Sequence, residues 1–161
     1  MEKLYQFFSW LVKRSFQDLH VRNQPIEEYI IHLLVTFSLT RNLSYKKELV
    51  TVVDMLHELN KLAEKKELLK RQQDIKKHLG DYTLFMTGIF REYVEKLAFL
   101  GFYLKEGERA YLDVGEIKLK ENQKDAHLFL QLGENFEFYS GALYYLRKSY
   151  FKDYNENPFF N

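Results

Sequence analysis

The chain has 161 residues, 24 basic and 23 acidic side chains, and a formal net charge of +1. That is the length of one domain, and the charge demands no polyanionic partner. It has no cysteine and no apolar run long enough to cross a bilayer, which excludes disulfides, thiolate metal sites, thiol nucleophiles and a membrane-spanning helix.

The N-terminus is amphipathic within a few residues and has no small-residue cleavage site, so a secretory signal is not expected there. A soluble, cytoplasmic protein is expected. Phe, Tyr and Trp make up 17% of the chain, enough for an aromatic core with some rings left over to meet a partner. The Lys, Glu and Tyr content would suit a heat-stable protein. The charge is mildly polarised: residues 1–77 carry 14 bases and 10 acids (+4), and residues 78–161 carry 10 bases and 13 acids (−3).

In chain order, Leu4, Phe7, Phe8, Leu11, Val12, Ser15, Phe16 and Leu19 trace one helical face. That helix should stop before Asn23-Gln24-Pro25. Pro25 suits the start of the next helix, where its missing N–H costs nothing, and Glu27 and Glu28 favour the dipole of its first turn. Ile26, Tyr29, Ile30, Leu33, Leu34 and Phe37 form the second face. The short connection predicts an antiparallel hairpin. Residues 40–44 are a polar break, with Ser44 the expected N-cap of a third helix. Its face is Leu49, Val52, Val53, Leu56, Leu59 and Ala63.

The stretch 61–77 is charged and helix-prone, and the chain either runs on through it or turns near 64–67. From residue 68 the apolar spacing resumes and predicts a helix over 68–89. Its second half, GDYTLFMTGIF over 80–90, is apolar on every side and reads as a buried central helix. A turn is expected at 90–92, a short helix over 93–100 that Gly101 could end, and another over 102–113. The segment 114–120, VGEIKLK, alternates like a strand, but a lone strand is unstable, so it is expected to be loop. Heptad spacing over 125–150 predicts one long helix containing Gly133 and Gly141. The fold class is therefore all-α, a single-domain irregular bundle of about six or seven helices around a buried central helix. It should span 1–154, with 155–161 a tail.

Three stretches, GDYTLFMTGIFRE, FYLKEGERAY and LFLQLGENFEFY, carry a resemblance. Gly80, Asp81, Leu84, Phe85, Gly88, Phe90, Glu92, Tyr103, Gly107, Ala110, Tyr111, Asn135 and Phe136 match a GDxxLFxxGxF … GxxAY … NF pattern. In this the chain resembles a family of uncharacterised bacterial all-helical proteins over about 80–139. It departs from the pattern at Arg91, where proline is common. The resemblance implies an all-α bacterial protein and carries over no activity and no catalytic residue.

Each candidate site residue also has a packing explanation. Gly80 and Gly88 lie on nearly one helix face, which could cradle a ligand or admit a neighbouring helix; packing is the preferred reading. Asp81 could cap a helix or hold an arginine such as Arg109, because a buried carboxylate must be paired. His78 with Asp81 and Asp54 with His57 are spaced i, i+3, as metal ligands on one helix can be. The second pair lies off its helix's apolar stripe, however, and no metal or cofactor is expected. Glu92, Glu95, Glu134 and Glu137 have no distinctive spacing. Lys61, Lys65, Lys66, Lys70, Arg71, Lys76 and Lys77 form the most basic helix, at net +4. Glu64, Glu67 and Asp74 interrupt it and no aromatic is interleaved for base stacking, so a solvated face is preferred to a nucleic-acid surface. The tyrosines Tyr103, Tyr111, Tyr139, Tyr144, Tyr145 and Tyr150 should mostly bury their rings and find one hydrogen-bond partner each.

No phosphate-binding glycine loop, nucleophile elbow or zinc-protease motif occurs; His57-Glu58 lacks the second histidine of such a motif. The leading expectation is a non-catalytic interaction or scaffold protein that self-associates through an aromatic or Leu-rich face. The alternative is a small-molecule- or metal-binding helical protein, enzymes included. Its pocket would lie near Gly80, Asp81 and Gly88, with Tyr103, Glu106 and Tyr111 opposite. The third reading is nucleic-acid binding through 61–77.

Overall fold

A computed structural model of the chain describes residues 2–38, 51–63 and 69–150. Among these residues there are eight helices and no strand. They are α1 (Glu2–Asp18), α2 (Gln24–Phe37), α3 (Val52–Leu62), α4 (Leu69–Ile89), α5 (Arg91–Lys96), α6 (Leu100–Lys120), α7 (Ala126–Glu134) and α8 (Phe136–Tyr150). No described helix is long and apolar enough to cross a membrane.

The centre of the bundle is α4. Its first half buries only Gln73 and Ile75, but from Leu79 onward it enters the core, and every residue from Thr83 to Ile89 is buried. It packs against α2, α3, α5, α6 and α8. A helix surrounded in this way has no solvent face to supply polarity, so its polar side chains must be satisfied internally. The Thr83 hydroxyl donates to the Leu79 carbonyl at 2.7 Å, and the Thr87 hydroxyl donates to the Thr83 carbonyl at 2.7 Å.

Side chains from neighbouring helices fill glycine notches on this axis. A Cβ at Gly80 would come within 2.5 Å of the Tyr111 ring from α6, and one at Gly88 would overlap Leu143 from α8. Gly107 of α6 faces Thr83 and the Phe136 ring in the same way. The notches let α4, α6 and α8 approach more closely than side chains with a Cβ would allow.

The N-terminal hairpin forms as its sequence implies. The Ile26 N–H donates to the Asn23 side chain at 3.3 Å, capping α2, and Pro25 lies in its first turn. The start of α3 is capped by Thr51, which exchanges hydrogen bonds with Asp54 in a capping box. Ser44, the continuity of the chain through 64–67 and the tail at 155–161 all lie outside the described residues.

Four expectations are corrected. The segment 114–120 is the end of α6, not a loop. Val114 and Gly115 are buried, with Gly115 against Leu130 of α7, so tertiary packing outweighs the strand-like alternation. The single helix over 125–150 is two helices. Asn135 leaves helical geometry at φ −115° and ψ 26°, which lets α7 lie on α6 while Phe136 turns toward Gly107. The turn at 90–92 is the single residue Phe90, and Arg91 already begins α5. Gly101 ends nothing, because it is the second residue of α6.

The residue that ends α5 is Ala98, at φ 61°. The Ala98 N–H donates to Glu95 O at 2.9 Å and the Phe99 N–H to Val94 O at 3.0 Å, the Schellman pattern that usually employs glycine. His20 and Asn122, at φ 59° and 54°, end α1 and α6 in the same way.

The glycine notches give a paired stability test. Gly88→Ala should cost about 1–3 kcal/mol through overpacking against Leu143. Gly141→Ala, where a Cβ meets nothing within 4 Å, should gain up to about 1 kcal/mol from helix propensity. Urea denaturation of the two variants checks both signs.

Candidate functional site

At the edge of the core, Asp81 accepts three side-chain hydrogen bonds. Its Oδ1 accepts the Tyr29 hydroxyl of α2 at 2.5 Å and the Tyr111 hydroxyl of α6 at 2.6 Å. Lys77, one turn back on α4, donates to Oδ2 at 3.2 Å. The Asp81 side chain is 13% exposed, and a carboxylate in that position depends on such partners. Aromatic rings pack around the trio: Phe129 of α7 lies 5.4 Å from Tyr29 and 5.9 Å from Tyr111, and Phe136 of α8 lies 5.8 Å from Tyr111. Burial, followed by the negative charge of Asp81, pushes both phenols well above the ordinary tyrosine value.

Beside this junction, between α2 and α4, is a cleft of about 160 Å³. Leu33 and Phe37 supply its apolar wall, and Tyr29, His32, Lys77 and Asp81 its polar groups. A wider hollow of about 810 Å³ at the α1–α2 turn, lined by Lys13, His20, Arg22 and Glu27 among others, is open to the surface.

The six candidate residues divide between locations. Gly80, Asp81 and Tyr111 meet at the junction. Gly88 is filled by Leu143 further along α4. Tyr103 lies near Tyr82, with ring centroids 6.2 Å apart, and is stacked on Phe99. Glu106 is buried on the α3 side of α6, 3.7 Å from Arg109. Arg109 therefore pairs with Glu106, and the cation at Asp81 is Lys77. The i, i+4 spacing of Lys77 and Asp81 could have identified that pair. Nothing local in the sequence connects Tyr29 to Asp81.

The possible metal pairs are engaged otherwise. Asp54 is part of the α3 capping box, and the ring of His78 lies 5.8 Å from Phe37 and 6.5 Å from Tyr82. Among the described residues no three His, Asp or Glu side chains come together as a metal site. The described bases of α4 are ion-paired: Lys70 with Asp74, Arg71 with Glu58, Lys76 with Asp113 and Lys77 with Asp81. Comparison with family models, curated proteins and solved structures finds no match.

The sequence reading expects an aromatic or Leu-rich face but does not place one. At the bend between α5 and α6, Tyr93, Leu97, Phe99 and Phe102 are between 39% and 56% exposed. Behind them Tyr103 is buried, stacked on Phe99 at 5.9 Å and tilted against Phe102 at 6.3 Å. The left-handed turn at Ala98 produces the bend.

Removing the junction carboxylate should be costly. Asp81→Ala leaves two phenol hydroxyls without their acceptor and should lose about 2–4 kcal/mol, while Asp81→Asn, which keeps an acceptor oxygen, should lose less. The phenols also set a pH limit. The unfolded chain releases tyrosine protons above pH of about 10, where the folded chain still holds those of Tyr29 and Tyr111, so stability is full below that pH and falls as pH rises beyond it. Tyr111→Phe should flatten the fall in urea melts taken from neutral to strongly alkaline pH.

Proposed function

We propose that this chain is a non-catalytic interaction protein that self-associates through the aromatic elbow between α5 and α6. The observation that carries this reading is the exposed cluster of Tyr93, Leu97, Phe99 and Phe102 on one bend. Grouped apolar side chains of this size mark contact surfaces, whereas single exposed ones need no explanation. Glu95, Lys96 and Lys105 are exposed on the same two helices. Charges of both signs around an apolar patch suit a twofold contact, in which one surface meets its own copy. The buried polar groups favour this reading over catalysis, since the phenol and carboxylate at the junction satisfy each other.

The cleft beside Asp81 supports a second reading, a small-molecule site using Lys77 and Asp81 above Leu33 and Phe37. Binding there would add a small mass to the protein in native mass spectrometry. Nucleic-acid binding through 61–77 draws less support, because the described α4 bases are committed to acidic partners.

The first reading predicts a concentration-dependent dimer or larger assembly in light scattering. Phe99→Ser combined with Phe102→Ser should shift it to monomer with unchanged helical circular dichroism, since both side chains are exposed. A wild-type protein that stays monomeric at all concentrations would end this proposal.

A further inference from the structure

Where α5 begins beside the second half of α8, three cations surround one tyrosine. The Arg91 guanidinium carbon lies 5.2 Å from the Tyr144 ring centroid, that of Arg147 5.8 Å, and the Lys148 ammonium 5.7 Å. Their only acidic partner among the described residues is Glu92. One Glu92 oxygen takes both the Arg147 guanidinium and, at 3.3 Å, the Lys148 ammonium. Arg91 makes no ion pair there. Among the described residues, three positive charges against one negative leave the cluster at net +2.

The cluster is also built in advance. Arg91 Nε donates to the Thr87 carbonyl at 3.0 Å and its Nη2 to Ser140 Oγ at 3.0 Å. Ser140 in turn donates to Thr87 Oγ1 at 2.7 Å, so a buried hydroxyl chain from the central helix fixes the plane of this guanidinium. Arg147 is 13% exposed, and its Nε is buried with no hydrogen-bond partner among the described residues. Lys148, at 56% exposed, leaves the cluster open to solvent. Burial pushes the Glu92 carboxyl up, but its own backbone N–H, Lys148 and Arg147 outweigh that and hold it below the usual range. Glu92 thus stays a charged counter-ion, and among the described residues this one carboxylate faces three cations.

We propose that Arg91, Arg147 and Lys148, gathered on Tyr144, form a binding site for a dianionic oxyanion such as the phosphoryl group of a small ligand. Arg147 and Lys148 converge on one Glu92 oxygen and Arg91 lies against the same ring; a dianion relieves the repulsion among such like charges while supplying acceptors for the open guanidinium and ammonium donors. Two of the three cations are arginines, whose planar fork matches the oxygens of a phosphoryl group. The site is separate from the cleft beside Asp81, and it does not depend on the aromatic elbow as a docking surface.

The test is calorimetric titration of the full chain with inorganic phosphate at low ionic strength and mildly alkaline pH, where it is a dianion. Saturable binding at one site per chain is expected. Lys148→Gln should weaken it by about tenfold, the worth of one charge-assisted hydrogen bond. Glu92→Gln, which removes the competing carboxylate, should tighten it, and Lys70→Gln, whose ammonium pairs with Asp74 on another helix, should leave it unchanged. Arg91→Gln should weaken it further, but it also breaks the hydroxyl chain, so the exposed Lys148 and Glu92 variants decide the matter if it fails to fold. No saturable binding by the wild type would overturn the site. So would binding that neither Lys148→Gln nor Glu92→Gln alters.

Discussion

The bundle turns on one carboxylate shared by two phenols. Asp81 sits where α4 enters the core and receives a hydroxyl from α2 on one side and from α6 on the other. The rings of Tyr29 and Tyr111 then pack on Phe129 and Phe136, which extends the same junction to α7 and α8. A low-dielectric site strengthens such bonds and makes the loss of any one partner expensive. Five helices are thereby held in register by a charge that cannot be left alone. Gly80 receives the Tyr111 ring, and Gly107 receives the Phe136 ring that packs on Tyr111, so these glycines have a packing explanation.

The same device recurs at the periphery. Asp18, at the end of α1, accepts the hydroxyls of Tyr145 at 2.9 Å and Tyr150 at 2.7 Å, both from α8. Those two bonds hold its carboxyl below the usual range. Glu28 of α2 accepts the Tyr5 hydroxyl of α1 at 2.6 Å. A protein rich in tyrosine can bury rings for their area and use acidic side chains to satisfy what the rings leave over.

Two exposed features of different kinds lie around α5. The short helix is bounded by Phe90 and by the left-handed Ala98, so it projects apolar side chains at its far end and basic ones where it meets α8. Among the described residues, the apolar cluster is partly exposed to solvent and the cation cluster holds one carboxylate, two different features of one short helix.

The sequence by itself determined the helical class, the first hairpin and the identity of the central helix, because these depend on local periodicity and on a run apolar all round. It also singled out Gly80, Asp81 and Tyr111. Only the tertiary structure decided that those three meet, that Tyr29 and Lys77 complete them, and that Gly88, Tyr103 and Glu106 serve other contacts. Contacts between α2, α4 and α6 join residues 30 to 52 positions apart, a separation at which no periodicity carries information. The break at Asn135 and the helical state of 114–120 were decided likewise. Each is locally ambiguous, and burial against α6 and α7 outweighs the small propensity differences that a sequence pattern can express.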